Sequence, residues 1–274
     1  MTLLKAKAKI NLFFHITGKR SDGYHLIESL NVFAEDIYDT IEINADCSDK
    51  TKVIGGEFAS VMANEQNNLI DVAIKKFFAN EQLNCRIIKD IPIGAGLGGG
   101  SADAAVVLKY LNPHLTDLEL AQIGADLPIC YYSKSTYCKG IGEILEPVQN
   151  LPEMYLVLVN PRKSLLTKNI FAFNKKTNTA PILDMPKNFS QDLQKFIEFL
   201  SDLSNDLTCS AIEMMPEISF ILSLLEKEQN CKIARMSGSG PTCFGIFENR
   251  QDAIEASKNI LQLHQEYWVK VTSI

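Results

Sequence analysis

The sequence predicts an α+β protein of two domains, and three observations carry that expectation. The chain has 274 residues, 46% of them hydrophobic and 22% charged, which suffices for two modest cores. Apolar residues recur with both the two-residue period of strands and the 3.6-residue period of helices. The break Asn150-Leu-Pro152, followed by the apolar run Tyr155 to Asn160, divides the chain into residues 1–152 and 153–274.

Along the first part, Lys5 to His15 alternates Lys5, Lys7, Lys9 and Asn11 with apolar neighbours, and Ile37 to Ile43 puts Ile37, Ile41 and Ile43 on one face. Both read as strands, joined through a turn-rich loop from Gly18 to His25. Asn68 to Asn80 has helical spacing, Leu83 to Ile88 reads as a strand, and Ser101 to Leu111 as a helix. Thr116 with Glu119 three residues on forms a capping box for a short helix ending near Gly124, and Pro128 is expected to stop it from resuming. Beyond Tyr155–Asn160, the polar stretch from Asn174 to Asn188 reads as an exposed connection. Helices follow at Gln191–Ser204, Glu217–Glu228 and Asp252–Gln265, with strands at Cys231–Met236, Thr242–Phe247 and Tyr267–Thr272. That order predicts a small α+β sandwich.

A net charge of −6 and a pI near 5.3 argue against a protein that coats nucleic acid or an anionic membrane. Seven scattered cysteines with no Cys-x-x-Cys indicate neither a disulfide framework nor a zinc knuckle. The lysines of Met-Thr-Leu-Leu-Lys-Ala-Lys-Ala-Lys break any signal-like apolar run, and no stretch reaches transmembrane length. A cytoplasmic protein is expected. His15, His25, His114 and His264 show no metal-ligand spacing, and no Gly-x-Ser-x-Gly occurs.

The segment Ile91-Pro-Ile-Gly-Ala-Gly-Leu-Gly-Gly-Gly-Ser-Ala-Asp-Ala-Ala105 holds five of the fifteen glycines between a strand and a helix start. Glycines bring backbone N–H groups close to an anion, and the helix adds the positive end of its dipole. Gly94-x-Gly96-x-x-Gly99 matches the dinucleotide fingerprint, but the next segment is another helix where a Rossmann unit needs a strand. No Walker A Gly-Lys-Ser or Gly-Lys-Thr appears. A glycine-rich connection without a ligand is the plain alternative.

Other positions also carry two readings. Ser101 can cap the helix or reach a phosphate and its magnesium. Ser237-Gly-Ser-Gly-Pro241 can be a hairpin turn or a second ligand loop. Asp126, in Gly124-Ala-Asp-Leu-Pro128 just past a helix end, can be a cap, a solvated carboxylate or a base that takes a proton from a hydroxyl. Lys9 is an ordinary surface lysine unless the polar face it shares with Asn11 turns inward. Tyr24 and His25 can anchor their loop or stack on a base.

Together these motifs resemble the GHMP kinase superfamily, on an N-terminal lysine strand, a central Pro92-x-Gly-x-Gly-Leu-Gly98 loop and a C-terminal Ser237-Gly-Ser-Gly240 loop, in that order. The resemblance spans nearly the whole chain. It implies a two-domain α+β fold with the active site in the cleft between domains, and ATP with Mg2+ as cofactors. Ala8-Lys9-Ile10-Asn11-Leu12, Arg20-x-Asp-Gly-Tyr-His25, Gly96-Leu-Gly-Gly-Gly-Ser101 and Gly124-Ala-Asp-Leu-Pro128 are similar to the branch that phosphorylates a cytidine diphosphate-linked methylerythritol. Homoserine and mevalonate types of the superfamily, and a non-catalytic nucleotide-binding relative, are the alternatives.

The resemblance makes Asp126 the general base and Lys9 the cation that orients it. It assigns Asn68 to the adenine, and Pro92, Gly94, Gly96, Leu97, Gly98, Gly99, Gly100 and Ser101 to the ATP phosphates, with Ser237, Gly238, Ser239 and Gly240 closing the site. Asn11, Tyr24, His25, Thr167 and Phe171 would bind the cytidine-bearing substrate. No protein metal ligand is implied. Ala102 stands where that branch commonly has a second serine, which leaves Ser101 as the one hydroxyl there. The partner is a small molecule, with no nucleic acid or membrane, and the protein is a monomer or homodimer.

Overall fold

The computed structural model describes residues 2–44, 51–62, 68–78, 83–112 and 114–274. Cys47 and the end of the helix expected at 68–80 lie outside the described residues. In chain order the elements are β1 (Thr2–Lys19), β2 (His25–Asn44), β3 (Lys52–Gly55), α1 (Ala59–Met62), α2 (Leu69–Phe77), β4 (Asn84–Ile88), α3 (Gly99–Leu111), α4 (Asp117–Ala121), α5 (Leu127–Tyr132), β5 (Thr136–Gly140) and β6 (Ile144–Pro147). They continue with β7 (Tyr155–Asn160), α6 (Thr167–Phe173), α7 (Leu193–Ser201), α8 (Thr208–Met214), α9 (Glu217–Lys227), β8 (Ile233–Met236), β9 (Cys243–Phe247), α10 (Arg250–Leu263) and β10 (Trp268–Ser273). Mixed helices and two sheets bear out the α+β expectation.

The chain packs as two units that interleave in sequence. The first takes in residues up to Lys9, Ile37–Ile93 and Gly98–Ser133; the second takes in Ile10–Asp36, Gly94–Leu97 and Lys134–Ile274. In the first unit, β2 pairs antiparallel with β4 from Thr40 opposite Ile88 to Asn44 opposite Asn84, and β3 pairs parallel with β4. Ile41, Ile87, Ile70, Ala104, Leu108 and Leu127 are fully buried there. Helix α3 buries Ala102, Ala104 and Ala105, with Val107 and Leu108 beyond them.

Pro128 does not stop the chain from becoming helical. It sits in the first turn of α5, where a proline lacks only an N–H that would be unsatisfied anyway and brings a φ already suited to the helix. Asp126 therefore immediately precedes a helix as well as following one.

In the second unit, β10, β7, β9 and β8 form an antiparallel sheet in that order, with Val157 opposite Gly245 and Val271 opposite Val157 across its centre. Helices α8, α9 and α10 bury Ala211, Ile221, Leu225 and Ile260 in a cluster that includes Val157, Val159 and Phe247. The first residues of β2 pair with β5, and β5 with β6. The Gly18–His25 turn is present: Arg20 N donates to Tyr24 O at 2.7 Å, and Gly23 has φ +92°.

The irregular stretch 174–188 is tied down by Asp206. Its Oδ2 accepts from Ile16 N at 2.7 Å and from Thr179 Oγ1 at 2.6 Å, while Oδ1 pairs with Lys176 at 2.5 Å. Burial opposes charge on this carboxylate, but those donors outweigh it and hold its pKa below the usual range.

Candidate active site

In the first unit, the face of β1 carrying Lys5, Lys7 and Lys9 runs from exposed to buried, so that Lys9 is 3% exposed. The inward-turning alternative holds at Lys9. Its Nζ lies 3.2 Å from Asp126 Oδ1. The carboxylate of Asp126 caps no N–H of α5, although its backbone carbonyl accepts from Cys130 N at 3.1 Å. A capping role is thereby removed for its side chain.

The same lysine stem lies against the glycine run. A Cβ on Gly98 would come 3.2 Å from Lys9 Cε and 3.6 Å from Cys130 Sγ. Gly98 is the N-cap of α3, in the left-handed region at φ +65°, where an L side chain is strained. Helix α3 therefore starts at Gly99, two residues before the expected Ser101. Ser101 is in the first turn and is not the cap, which corrects its capping reading. With no side-chain cap at Gly98, the N–H groups at this helix start remain available to an anion. Asn68 is the N-cap of α2, its Oδ1 accepting from Ile70 N at 2.9 Å.

Beneath α3 lies a group that sequence reasoning missed. Lys89 Nζ donates to Asp39 Oδ2 at 2.5 Å and to Asp103 Oδ2 at 2.6 Å, with the three side chains at most 3% exposed. Burial raises the Asp103 carboxyl most, Lys89 pulls it down and Asp39 pushes it up, and the balance lies at about 7. The available signal was a lone aspartate inside the otherwise apolar Ala-Asp-Ala-Ala of a buried helix.

The second unit holds the other group of expected site residues. Gly96 has φ +74°, and a Cβ there would meet Ser237 O at 2.2 Å. Ser237 Oγ donates to Gly96 O at 2.9 Å and accepts from Asn11 N at 3.1 Å. Gly94 O accepts from Leu165 N, and Ala95 O from Thr242 N. Residues Ser237 to Gly240 join the antiparallel strands β8 and β9, so the hairpin reading is correct and compatible with a ligand role. Asn205, also missed, donates from Nδ2 to Met236 O at 2.8 Å and Gly238 O at 2.7 Å, fixing this loop.

Asn11 is buried and donates to Ser29 Oγ at 2.7 Å and Asn31 Oδ1 at 2.8 Å. Thr167 Oγ1 and Ser239 Oγ are 2.9 Å apart. The His25 ring is 5.2 Å from that of Phe171, which in turn packs edge-on to Phe14 at 6.0 Å. Burial, then the charge of Lys19, lowers the His25 pKa. A neutral imidazole both donates and accepts. Tyr24 is 62% exposed beside it.

Among the described residues no group of three His, Cys, Asp or Glu side chains can hold a metal, and no helix is long and apolar enough to cross a membrane. The glycine cradle fits a polyphosphate. Magnesium, which commonly keeps waters and takes substrate phosphates as ligands, needs no protein cage to accompany it.

Residues 68–138 match the family model described as GHMP kinases N terminal domain, and residues 185–263 the one described as GHMP kinases C terminal. Fold and glycine loops thus define a GHMP kinase. A protein from Roseobacter denitrificans named 4-diphosphocytidyl-2-C-methyl-D-erythritol kinase is 35% identical, over 98% of this chain and 92% of its own. A crystal structure of 4-(cytidine 5'-diphospho)-2C-methyl-D-erythritol kinase superposes with a TM-score of 0.77 at 25% identity, covering 98% of each chain. The chain belongs to the 4-diphosphocytidyl-2-C-methyl-D-erythritol kinase family. L. major mevalonate kinase, in complex with R-mevalonate, shares the fold at TM-score 0.64 with 14% identity, over 99% of this chain and 96% of its own.

Proposed function

We propose that the protein transfers the γ-phosphoryl group of ATP to the 2-hydroxyl of 4-diphosphocytidyl-2-C-methyl-D-erythritol, giving the 2-phosphate and ADP. The observation that carries this reading is the Lys9–Asp126 pair at 3.2 Å, with Gly98 against the same lysine stem. Phosphoryl transfer asks mainly for positioning and charge stabilisation. Asp126 takes the proton of the accepting hydroxyl, Lys9 orients Asp126, and the N–H groups at the start of α3 hold phosphate oxygens. Asn68 is the adenine-side residue, and Pro92 and Gly94 to Ser101 form the phosphate loop, with Ser237 to Gly240 completing it.

Tyr24, His25 and Phe171 bind the cytosine, with His25 reading its edge through a neutral ring, and Thr167 lines the same pocket. Asn11 belongs to the same substrate-binding group, its Nδ2 held by Ser29 Oγ and Asn31 Oδ1 and its backbone N–H by the Ser237 hydroxyl. Mg2+ enters with ATP and neutralises its phosphates. Residues 1–152 and 153–274 are the two sequence modules, a division supported by the two family models falling on either side of it. The protein acts in the cytoplasm as a monomer or homodimer.

Incubation of purified protein with Mg-ATP and the cytidine diphosphate substrate is expected to release ADP and the 2-phosphate. Turnover of homoserine or mevalonate in its place would reject the substrate assignment.

A further inference from the structure

The glycine run is flanked by a buried ionic group that the chemistry of phosphoryl transfer does not call for. Asp39 Oδ1 accepts from Asp90 N at 2.6 Å and Ile91 N at 2.8 Å, the two residues that lead into Pro92. Its other oxygen takes Lys89 Nζ at 2.5 Å, and the same ammonium reaches Asp103 Oδ2 at 2.6 Å. Asp103 is four residues beyond Gly99, on the same face of α3. Gly99 faces the cluster too, since a Cβ there would lie 3.2 Å from Lys89 Nζ. The backbone of Lys89 is fixed as well: its N–H donates to Gly55 O and its carbonyl accepts from Phe58 N, each at 2.8 Å.

We propose that Asp39, Lys89 and Asp103 are positioning residues for nucleotide binding, a buried clamp that locks the strand leading into the glycine run and the helix leaving it in one register. The proposal rests on the glycine run being the ATP loop. A loop with positive φ at Gly94, Gly96 and Gly98 has no stiffness of its own. Its geometry is set by its anchors: hydrogen bonds to Gly94 O, Ala95 O and Gly96 O hold its first half, and the buried ionic group holds the segments on either side. Apolar side chains of similar volume would bury well at these positions, and an ionic group contributes what they lack, a hydrogen-bonded geometry that admits one arrangement. N–H groups aimed before the ligand arrives bind it without the entropy loss of ordering a loop. Asp103 ties the helix to Lys89; Asp39 ties Lys89 to the strand.

The test compares Asp103→Ala, Asp103→Asn and Asp39→Asn with the wild type. Three quantities are read: thermal midpoint, affinity for the non-hydrolysable analogue adenylyl imidodiphosphate with magnesium by calorimetry, and KM for the cytidine substrate. Asp103→Ala is expected to weaken the nucleotide about tenfold or more, the size of one lost charged hydrogen bond, with the cytidine-substrate KM little changed. Asp103→Asn keeps an acceptor for Lys89 and should restore most of the affinity. Asp39→Asn, which keeps its backbone acceptor but weakens the hold on Lys89, should fall between them.

Unchanged nucleotide affinity in folded Asp103→Ala overturns the clamp, as does equal weakening of both substrates. If Asp103→Ala does not fold, the same criteria apply to Asp39→Asn, and failure of both to fold assigns the group to stability alone. Analogue binding needs no turnover. A wild type that binds it tightly but phosphorylates nothing would therefore count against the proposed reaction and leave the clamp standing.

Discussion

Lys9 Nζ stands 3.2 Å from Asp126 Oδ1, and the two side chains differ sharply in exposure, 4% against 48%. The buried partner is held by the strand; the accessible one faces whatever approaches. That asymmetry suits a base whose orientation is set from behind. It predicts that Asp126→Asn lowers kcat by about 10²- to 10⁴-fold, the usual contribution of a general base, while nucleotide affinity stays close to wild type. Steady-state kinetics and calorimetry check this, and near-normal turnover would remove Asp126 from the mechanism.

Gly98→Ala combines a strained backbone with a crowded site. The alanine would have to hold φ +65° with its methyl 3.2 Å from Lys9 Cε. We expect a stability loss of about 1–3 kcal/mol by denaturant unfolding, together with a raised KM for ATP, because the strain falls on the cap of α3. An alanine variant as stable and as active as the wild type would show that the left-handed cap is not required.

Replacing His25 by Leu keeps an apolar partner for Phe171 but removes the ring nitrogens. The KM of the cytidine substrate should rise about tenfold, the equivalent of one hydrogen bond, with the KM for ATP unaltered. Equal effects on both KM values would place His25 outside the cytosine pocket.

Asp103 predicts a pH effect on stability. Its carboxyl is raised from 3.8 to about 7, so the native state holds this proton more tightly than the unfolded chain. That contribution is complete below the unfolded value and is lost as pH rises through about 7. Lys89 and Asp39 are the charged groups it faces. Relative to Asp103→Asn, which has no proton to lose, the wild type should therefore lose thermal stability between about pH 5 and about pH 8. Parallel melting curves across that range would contradict the raised value. The comparison with the variant is needed because His15, lowered chiefly by burial, titrates in the opposite sense.

Much of the frame was legible without coordinates. The apolar run Tyr155–Asn160 is strand β7 with the expected limits, because a buried strand announces itself by composition. The Thr116–Glu119 capping box forms as read, since both partners are local. Helix α6, with the expected Thr167 and Phe171, was not foreseen as an element, nor was α8 or the pairing of β5 with β6. These segments run only four to seven residues, too short for a period to declare itself, even where, as for β5 and β6, the partners are neighbours in sequence. Pro128 was misjudged because a proline reads alike whether it ends one helix or opens the next.

By itself, then, the sequence determined the periodic elements, the positive-φ glycine loop and the motif order that identifies the family. The elements and the loop depend on neighbours a few residues apart, and the motif order on the linear chain alone. Tertiary structure alone decided that Lys9 turns inward while Lys5 stays exposed, that Asp126 caps nothing, and that Asp39, Lys89 and Asp103 meet across separations of 50 and 14 residues. A charge is stable away from water only beside its opposite. Hydrophobic periodicity records which side of a strand or helix is buried, but not which distant charge comes to lie against it.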